Sequence, residues 1–287
     1  MANRAVTDNE AQVHYWNSAA GEKWVQHQAV MDQQLAVVSD LLLETAAPKA
    51  GEAVLDVGCG TGATLLRLAA AVDKLGHVLG CDVSTPMLAL ARRRIRAAGI
   101  PNVEVVQADA QSHKFAENAF DLLVSRFGVM FFADPTAAFA NLRKSMRPGG
   151  RLAFVCWGPL TDNPFFLLPM QIATRHLGPV EPTPPRAPGP LAFSDRDYVN
   201  DMLTSAGWRE VRIEDRHPLL IGGATPQEQA AFSIEVRPVS RLIAERQPDA
   251  ATVDSLRAEL TKELAMYATE SGIKFPSRLY YVSARAA

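Results

Sequence analysis

The residues whose types and spacing carry chemistry begin at Val54-Leu55-Asp56-Val57-Gly58-Cys59-Gly60-Thr61-Gly62. An apolar run ends beside an acid and then turns through glycines at alternate positions. Glycine is needed where a Cβ would keep a ligand off the turn or where φ is positive. In an open α/β sheet such a turn lies at the carboxyl ends of the strands, where ligands bind. The glycines alone say little, because any tight strand-to-helix turn needs them. A dinucleotide turn reads G-x-G-x-x-G, whereas here the third glycine follows after one residue, which disfavours a nicotinamide-dependent oxidoreductase.

Two more acids follow apolar runs. Asp82, in Gly80-Cys81-Asp82-Val83, falls about 20 residues beyond the glycines, where a carboxylate accepts ribose hydroxyls; the competing role is a cap for the next helix, which Ser84 already fills. Asp109, in Gln107-Ala108-Asp109-Ala110, can accept the exocyclic amine of adenine or be an ordinary loop acid. Ser125-Arg126 closes another apolar run, with Arg126 weighed evenly between binding an acidic substrate and forming an ion pair.

These residues need strands and helices to hold them. Strand-like runs at 53–57, 77–81, 103–107, 120–125 and 151–157 alternate with helical stretches at 64–72, 84–98 and 135–146, the pattern of βαβ units and a parallel sheet. Ahead of them, Leu35, Val38 and Leu42 have helical spacing after a possible cap at Asp32. After Trp157 the alternation breaks. Six prolines from Pro179 to Pro190 predict an ordered loop or extended connector. A capped helix at 194–206 and strands at 208–214 and 279–284 follow, with helices at 226–246 and 252–271 inserted between those two strands.

Composition bounds the partners. Of 287 residues, 48% are apolar and 21% charged, and the net charge of −2 favours neither disorder nor a polyanionic partner, so no nucleic acid is expected. Cys59, Cys81 and Cys156 form an odd set within apolar runs, without metal-ligand spacing, and read as buried thiols in a reducing compartment. No metal is expected. The start lacks an apolar signal core and the least charged window, 152–174, is broken by prolines, so the expectation is a soluble cytoplasmic protein without a membrane span.

Taken in order from Val54 to Trp157, these motifs resemble the class I S-adenosylmethionine-dependent methyltransferases of the ubiquinone/menaquinone-biosynthesis-like small-molecule group. The resemblance covers about a third of the chain by motif and implies an α/β fold: a doubly wound, mostly parallel seven-stranded sheet, Rossmann-like, with N-terminal lid helices and a helical insertion near the C-terminus. It divides the chain into lid helices at 1–50 and a methyltransferase domain at 51–287, with pocket elaborations at about 158–206 and 215–278. A sulfonium cofactor has no phosphates to cradle, so an acid beside the glycine loop makes electrostatic sense. The resemblance implies that Asp56, Gly58 and Gly60 line its methionine portion, Asp82 holds the ribose, Val83 and Met87 pack on the adenine, Asp109 and Ala110 meet its edge, and Ser125 sits beside the transferring methyl. The family's last two strands usually form a hairpin, whereas here they stand more than sixty residues apart.

Methyl transfer is an in-line displacement that needs alignment and exclusion of water. Tyr15, Trp16, Trp24 and Trp157, with Phe165 and Phe166, are candidates for a lid over the cofactor and a small, partly apolar acceptor, although any one of them could equally be core. If the acceptor is a hydroxyl, a base helps; His14 and His113 are the histidines placed to approach it. Met130-Phe131-Phe132 reads as core rather than pocket floor, and Arg92, Arg93, Arg94 and Arg96 as a solvated helix face. The competing functions are an RNA or protein methyltransferase and a non-catalytic cofactor-binding scaffold.

Overall fold

A computed structural model describes residues 9–236 and 238–287; the first eight residues of the expected lid segment lie outside them. Four helices open the described chain: α1 (Glu10–Trp16), α2 (Ala19–Gln26), α3 (Gln28–Gln34) and α4 (Ala36–Ala46). The alternation of apolar runs and helices then yields β1 (Ala53–Val57), α5 (Ala63–Val72), β2 (His77–Asp82), α6 (Thr85–Ala98), β3 (Val103–Gln107), β4 (Phe120–Arg126), α7 (Pro135–Lys144) and β5 (Met146–Trp157).

The remainder comprises α8 (Pro164–Leu177), α9 (Arg196–Ser205), β6 (Trp208–Arg216), β7 (Leu219–Ile221), α10 (Pro226–Glu235), α11 (Val239–Arg246), α12 (Ala250–Leu264), β8 (Ala268–Thr269), β9 (Gly272–Pro276) and β10 (Leu279–Ala286). Seven strands join in the order β3-β2-β1-β4-β5-β10-β6. β10 runs antiparallel to both neighbours while the first five strands are parallel, which is the mostly parallel, Rossmann-like methyltransferase sheet. Val54, Leu55, Leu122, Leu123, Val124, Phe154 and Val155 are wholly buried, as central strands covered on both faces must be.

The segment between β6 and β10 is not purely helical. β7, β9 and β8 form a second, three-stranded antiparallel sheet that the sequence pattern did not announce. α8 was also unforeseen. Pro164 occupies its first turn, where no backbone donor is lost, while Pro169 lies inside it. Asp32 is no cap: it falls within α3 and pairs with Arg94 on α6 at 2.7 Å. Arg94 also donates to the carbonyl of Thr61, so it is no part of a solvated face.

Ser84 precedes α6 as expected, but its hydroxyl does not cap that helix. It donates instead to the carbonyl of Trp16 at 2.7 Å. The cap comes from the N-terminal helices: Asn17 Oδ1 accepts from the Thr85 amide (2.9 Å) and Asn17 Nδ2 donates to the Val83 carbonyl (2.9 Å). Gly21 permits this docking, since a Cβ there would meet the Trp16 carbonyl at 2.2 Å and Ser84 Oγ at 2.8 Å. An Asn17→Ala chain should therefore lose about 1 kcal/mol in urea denaturation. Hydrogen exchange should rise across residues 10–26, because the same side chain ties those helices down.

Candidate active site

The carboxyl ends of β1 to β5 open into a cavity of about 1470 Å³. Its floor on one side is the glycine loop. Gly58 and Cys59 both donate to the Cys81 carbonyl (2.8 and 3.2 Å), which hangs the loop on β2. Gly58 has φ +72°, and a Cβ on it would stand 2.6 Å from Gly128 Cα, so the loop touches the exit of β4 backbone to backbone. Gly60 donates to Asp82 Oδ2 and Ser84 to Asp82 Oδ1, each at 2.8 Å. With the Val83 amide also bonded, the two oxygens still keep acceptor capacity. Burial raises the Asp82 carboxyl above its ordinary range, and its bonds from backbone amides oppose that shift.

Gly58, Gly60, Asp82, Val83, Met87, Asp109 and Ala110 all line this cavity. Two expected cofactor residues do not. Asp56 is wholly buried beneath the loop, where one oxygen accepts from the Thr64 hydroxyl and Oδ1 has no hydrogen-bond partner. Ser125 is equally buried. Its hydroxyl donates to the Val57 carbonyl (2.7 Å) and accepts from the Gly128 and Val129 amides (both 3.2 Å), so it stitches β4 to the glycine loop instead of facing a methyl group.

The lid candidates Tyr15, Trp16, Trp24 and Trp157 line the cavity, as does Arg126. Trp16 meets Tyr15, Trp24 and Phe131 edge to face with centroids 5.0, 6.1 and 5.1 Å apart. Across from them Phe127, Trp157 and Phe165 stack in near-parallel planes, with centroid spacings of 4.7 and 6.3 Å. Met130, Phe131 and Phe132, expected in the core, also form part of the wall, because a short 3-10 helix at Gly128–Phe131 turns them toward it. His14 is exposed and His113 packs its ring on Phe115 (4.6 Å); neither lines the cavity, so the structure withdraws both as bases.

Residues not singled out in the sequence join the site. Asn9 donates to Asp109 Oδ1 (3.1 Å) while its own Oδ1 is buried without a partner. Thr61 lines the cavity with an unpartnered hydroxyl, and Gln34 with an unpartnered amide. No periodicity or motif marks Asn9 or Gln34 in the sequence; Thr61 was at least inside the glycine motif. The proline-rich segment forms part of the roof, held by the Gly189 amide on the Met130 carbonyl (3.0 Å). Cys59 and Cys81 reach the cavity as neutral thiols, since burial pushes both well up.

Comparison with known proteins gives this geometry its family. A methyltransferase-domain model matches residues 54–150. Demethylmenaquinone methyltransferase of Corynebacterium kroppenstedtii is 33% identical over 177 residues, 57% of this chain and 71% of that protein. The chain belongs to the S-adenosylmethionine-dependent methyltransferases. Aklanonic acid methyltransferase DauC of a Streptomyces strain is 35% identical over 113 residues, but the match spans only 39% of this chain and about half (51%) of DauC. A methyltransferase of Aquifex aeolicus shares the fold at a TM-score of 0.50 and 16% identity, with 98% of this chain and 99% of that one covered.

The residues of this methyltransferase fit its cofactor. A Cβ at Gly60 would stand 2.8 Å from Met87 Cε, so glycine keeps open the space between the loop and α6, and Asp82 retains acceptor positions of the kind that sugar hydroxyls would need. The unpartnered Asn9 Oδ1 faces the same half of the cavity as Asp109.

Burial pushes the Asp56 carboxyl up from 3.8 to about 7. The folded chain then keeps a proton that the unfolded chain has released, so this group's contribution to stability is full below 3.8 and is lost as pH rises toward about 7. Asp56→Asn should remove that contribution. The stability difference between variant and wild type should move in the variant's favour across this window in pH-dependent urea melts; a constant difference would show Asp56 ionised throughout.

Proposed function

We propose that this chain transfers a methyl group from S-adenosylmethionine to a small, partly apolar molecule. The observation that carries the reading is one cavity whose floor is a glycine loop beside Asp82 and whose far wall is the stack of Phe127, Trp157 and Phe165. At about 1470 Å³ it exceeds the roughly 300–1,000 Å³ of an ordinary ligand cleft and has room for a cofactor and an acceptor together. Two relatives are named for aklanonic acid and demethylmenaquinone, which agrees with small organic acceptors.

When bound, the cofactor supplies a methyl carbon whose bond to sulfur breaks as an acceptor's electron pair takes its place, leaving a neutral thioether. The chain's own work is to bind, align and dry. Asp82 and Asp109 fix the nucleoside end through hydrogen bonds. The glycine loop holds the opposite end at the exit of β4, and the aromatic walls exclude water from the line of displacement. No histidine lines the cavity among the described residues, so a base for a hydroxyl acceptor would have to come from another lining group such as Tyr15 or Asp109.

A roof built from the N-terminal helices, the proline-rich segment and the start of α11 covers the cavity, which suits a small molecule better than RNA or a folded protein. Among the described residues no helix is long and apolar enough to cross a membrane. The buried, unpaired Cys59, Cys81 and Cys156 fit a reducing cytoplasm.

Calorimetry tests the reading directly. S-adenosylhomocysteine should bind saturably, NAD should not, and Asp82→Ala should weaken the homocysteine form by roughly 1–3 kcal/mol through loss of the ribose acceptor. A screen of phenols, quinols, thiols and amines with labelled cofactor then identifies the acceptor. Absence of any binding by the folded wild-type chain would overturn the assignment.

A further inference from the structure

Gln34 ends α3, is 2% exposed, and neither its Nε2 nor its Oε1 has a hydrogen-bond partner, although the residue lines the cavity. Arg126 lines the same cavity from the last position of β4. Its Nη1 donates to Ser39 Oγ at 2.9 Å, and among the described residues it forms no ion pair, with the Asp32 and Asp56 carboxylates acting on it only at longer range. Buried amides and guanidinium groups are normally satisfied. Here the unspent capacity of both belongs to cavity-lining side chains.

Their place in the sheet says which ligand they suit. β4 lies between β1, which carries the glycine loop, and β5, which ends at Trp157. Arg126 is in register with Val155 of β5, beyond the last residue of β4 that pairs with β1. The next residue, Phe127, opens the aromatic stack. Arg126 thus stands where the cofactor's half of the cavity meets the acceptor's half.

We propose that Arg126 and Gln34 form an oxyanion-binding subsite for the acceptor, selecting a planar aromatic acid with a hydroxyl beside its carboxylate. The proposal rests on the methyltransferase reading only in taking the anion to be the acceptor's. Guanidinium N–H groups match a carboxylate in a bidentate fork. Gln34 supplies one more donor through Nε2, and its Oε1 requires a donor, which the neighbouring hydroxyl provides. The ring system lies along Phe127 and Trp157.

The test uses 3-hydroxy-2-naphthoate as probe and 3-hydroxy-2-naphthamide as its uncharged counterpart, titrated into wild-type protein with and without saturating S-adenosylhomocysteine. The acid should bind more tightly than the amide. Arg126→Gln should weaken the acid by on the order of tenfold or more while leaving the amide and S-adenosylhomocysteine unchanged. Gln34→Leu, similar in volume and apolar, should weaken the acid by several-fold and gives a second reading if Arg126→Gln does not fold. Equal binding of acid and amide by the wild type, or acid binding unaffected in a folded variant, overturns the proposal. So does an Arg126→Gln chain that loses S-adenosylhomocysteine but not the acid, since the guanidinium then serves the cofactor's own carboxylate. Acid binding that obeys these expectations in a chain with no affinity for S-adenosylhomocysteine keeps the subsite and removes the methyltransferase reading instead.

Discussion

Gly58 and Gly128 touch through their backbones, and the two halves of the cavity are registered by that contact. A Cβ on Gly58 would come 2.6 Å from Gly128 Cα, and one on Gly128 would come 2.6 Å from the Val57 carbonyl oxygen. Ser125 fastens the same junction from below with one donated and two accepted hydrogen bonds. Just before Gly128 the chain passes through Phe127 at φ +67°, a left-handed conformation that costs a non-glycine residue roughly 1–2 kcal/mol. That conformation places its ring flat on Trp157. Moving the glycine loop would move the stack, so the two ends of the cavity are set together.

The N-terminal segment is tied by polar side chains to the cavity rim around Asp82 and Asp109. Asn9 bonds Asp109, Asn17 caps α6, and Ser84 reaches the Trp16 carbonyl. Each lies beside a group assigned to the cofactor, so seating these helices and ordering that rim are one event. The opposite arrangement holds beneath the loop. Asp56 is removed from water with a single hydroxyl partner, and Arg126 contributes only at longer range to its charge balance. An acid so placed shapes the loop from below and is not spent on ligand contact.

Much of this was legible in the sequence. β1 follows its apolar run to the residue because a buried parallel strand reads as a continuous hydrophobic segment, and β3 matches its run although it is an only partly buried edge strand. The glycine motif, Asp82 and Asp109 stand at strand ends, where pattern and chemistry coincide. What failed was side-chain direction. Ser84, Ser125 and Asp56 hold the expected positions in the chain, but their hydrogen-bond partners decide which way they point: Trp16 and Val57, both 68 residues away, for the two serines, and Thr64 on the following helix for Asp56. Two strands of the C-terminal insertion were unreadable for another reason: β7 and β8, at three and two residues, are too short to show any period. Gln34 was invisible because an unpaired amide has a signature only in a structure.

The roof shows why acceptor choice is the hardest property to read. It is assembled from chain segments far apart: Lys23 of α2 donates to the Glu235 carbonyl of α10 (2.8 Å), and His27 lies against Phe232 with ring centroids 5.5 Å apart. The neighbouring His27–Glu235 contact at 3.3 Å involves a glutamate that is 56% exposed, so it adds little, and packing carries the cohesion. The sheet beneath is a dense hydrogen-bonded core, whereas the roof closes through a few half-buried aromatics and a proline-rich segment. Local opening therefore costs less in the roof than in the sheet. Because the prolines restrict the unfolded segment as well as the folded one, that roof closes at a smaller entropic cost than a glycine-rich loop of equal length would incur.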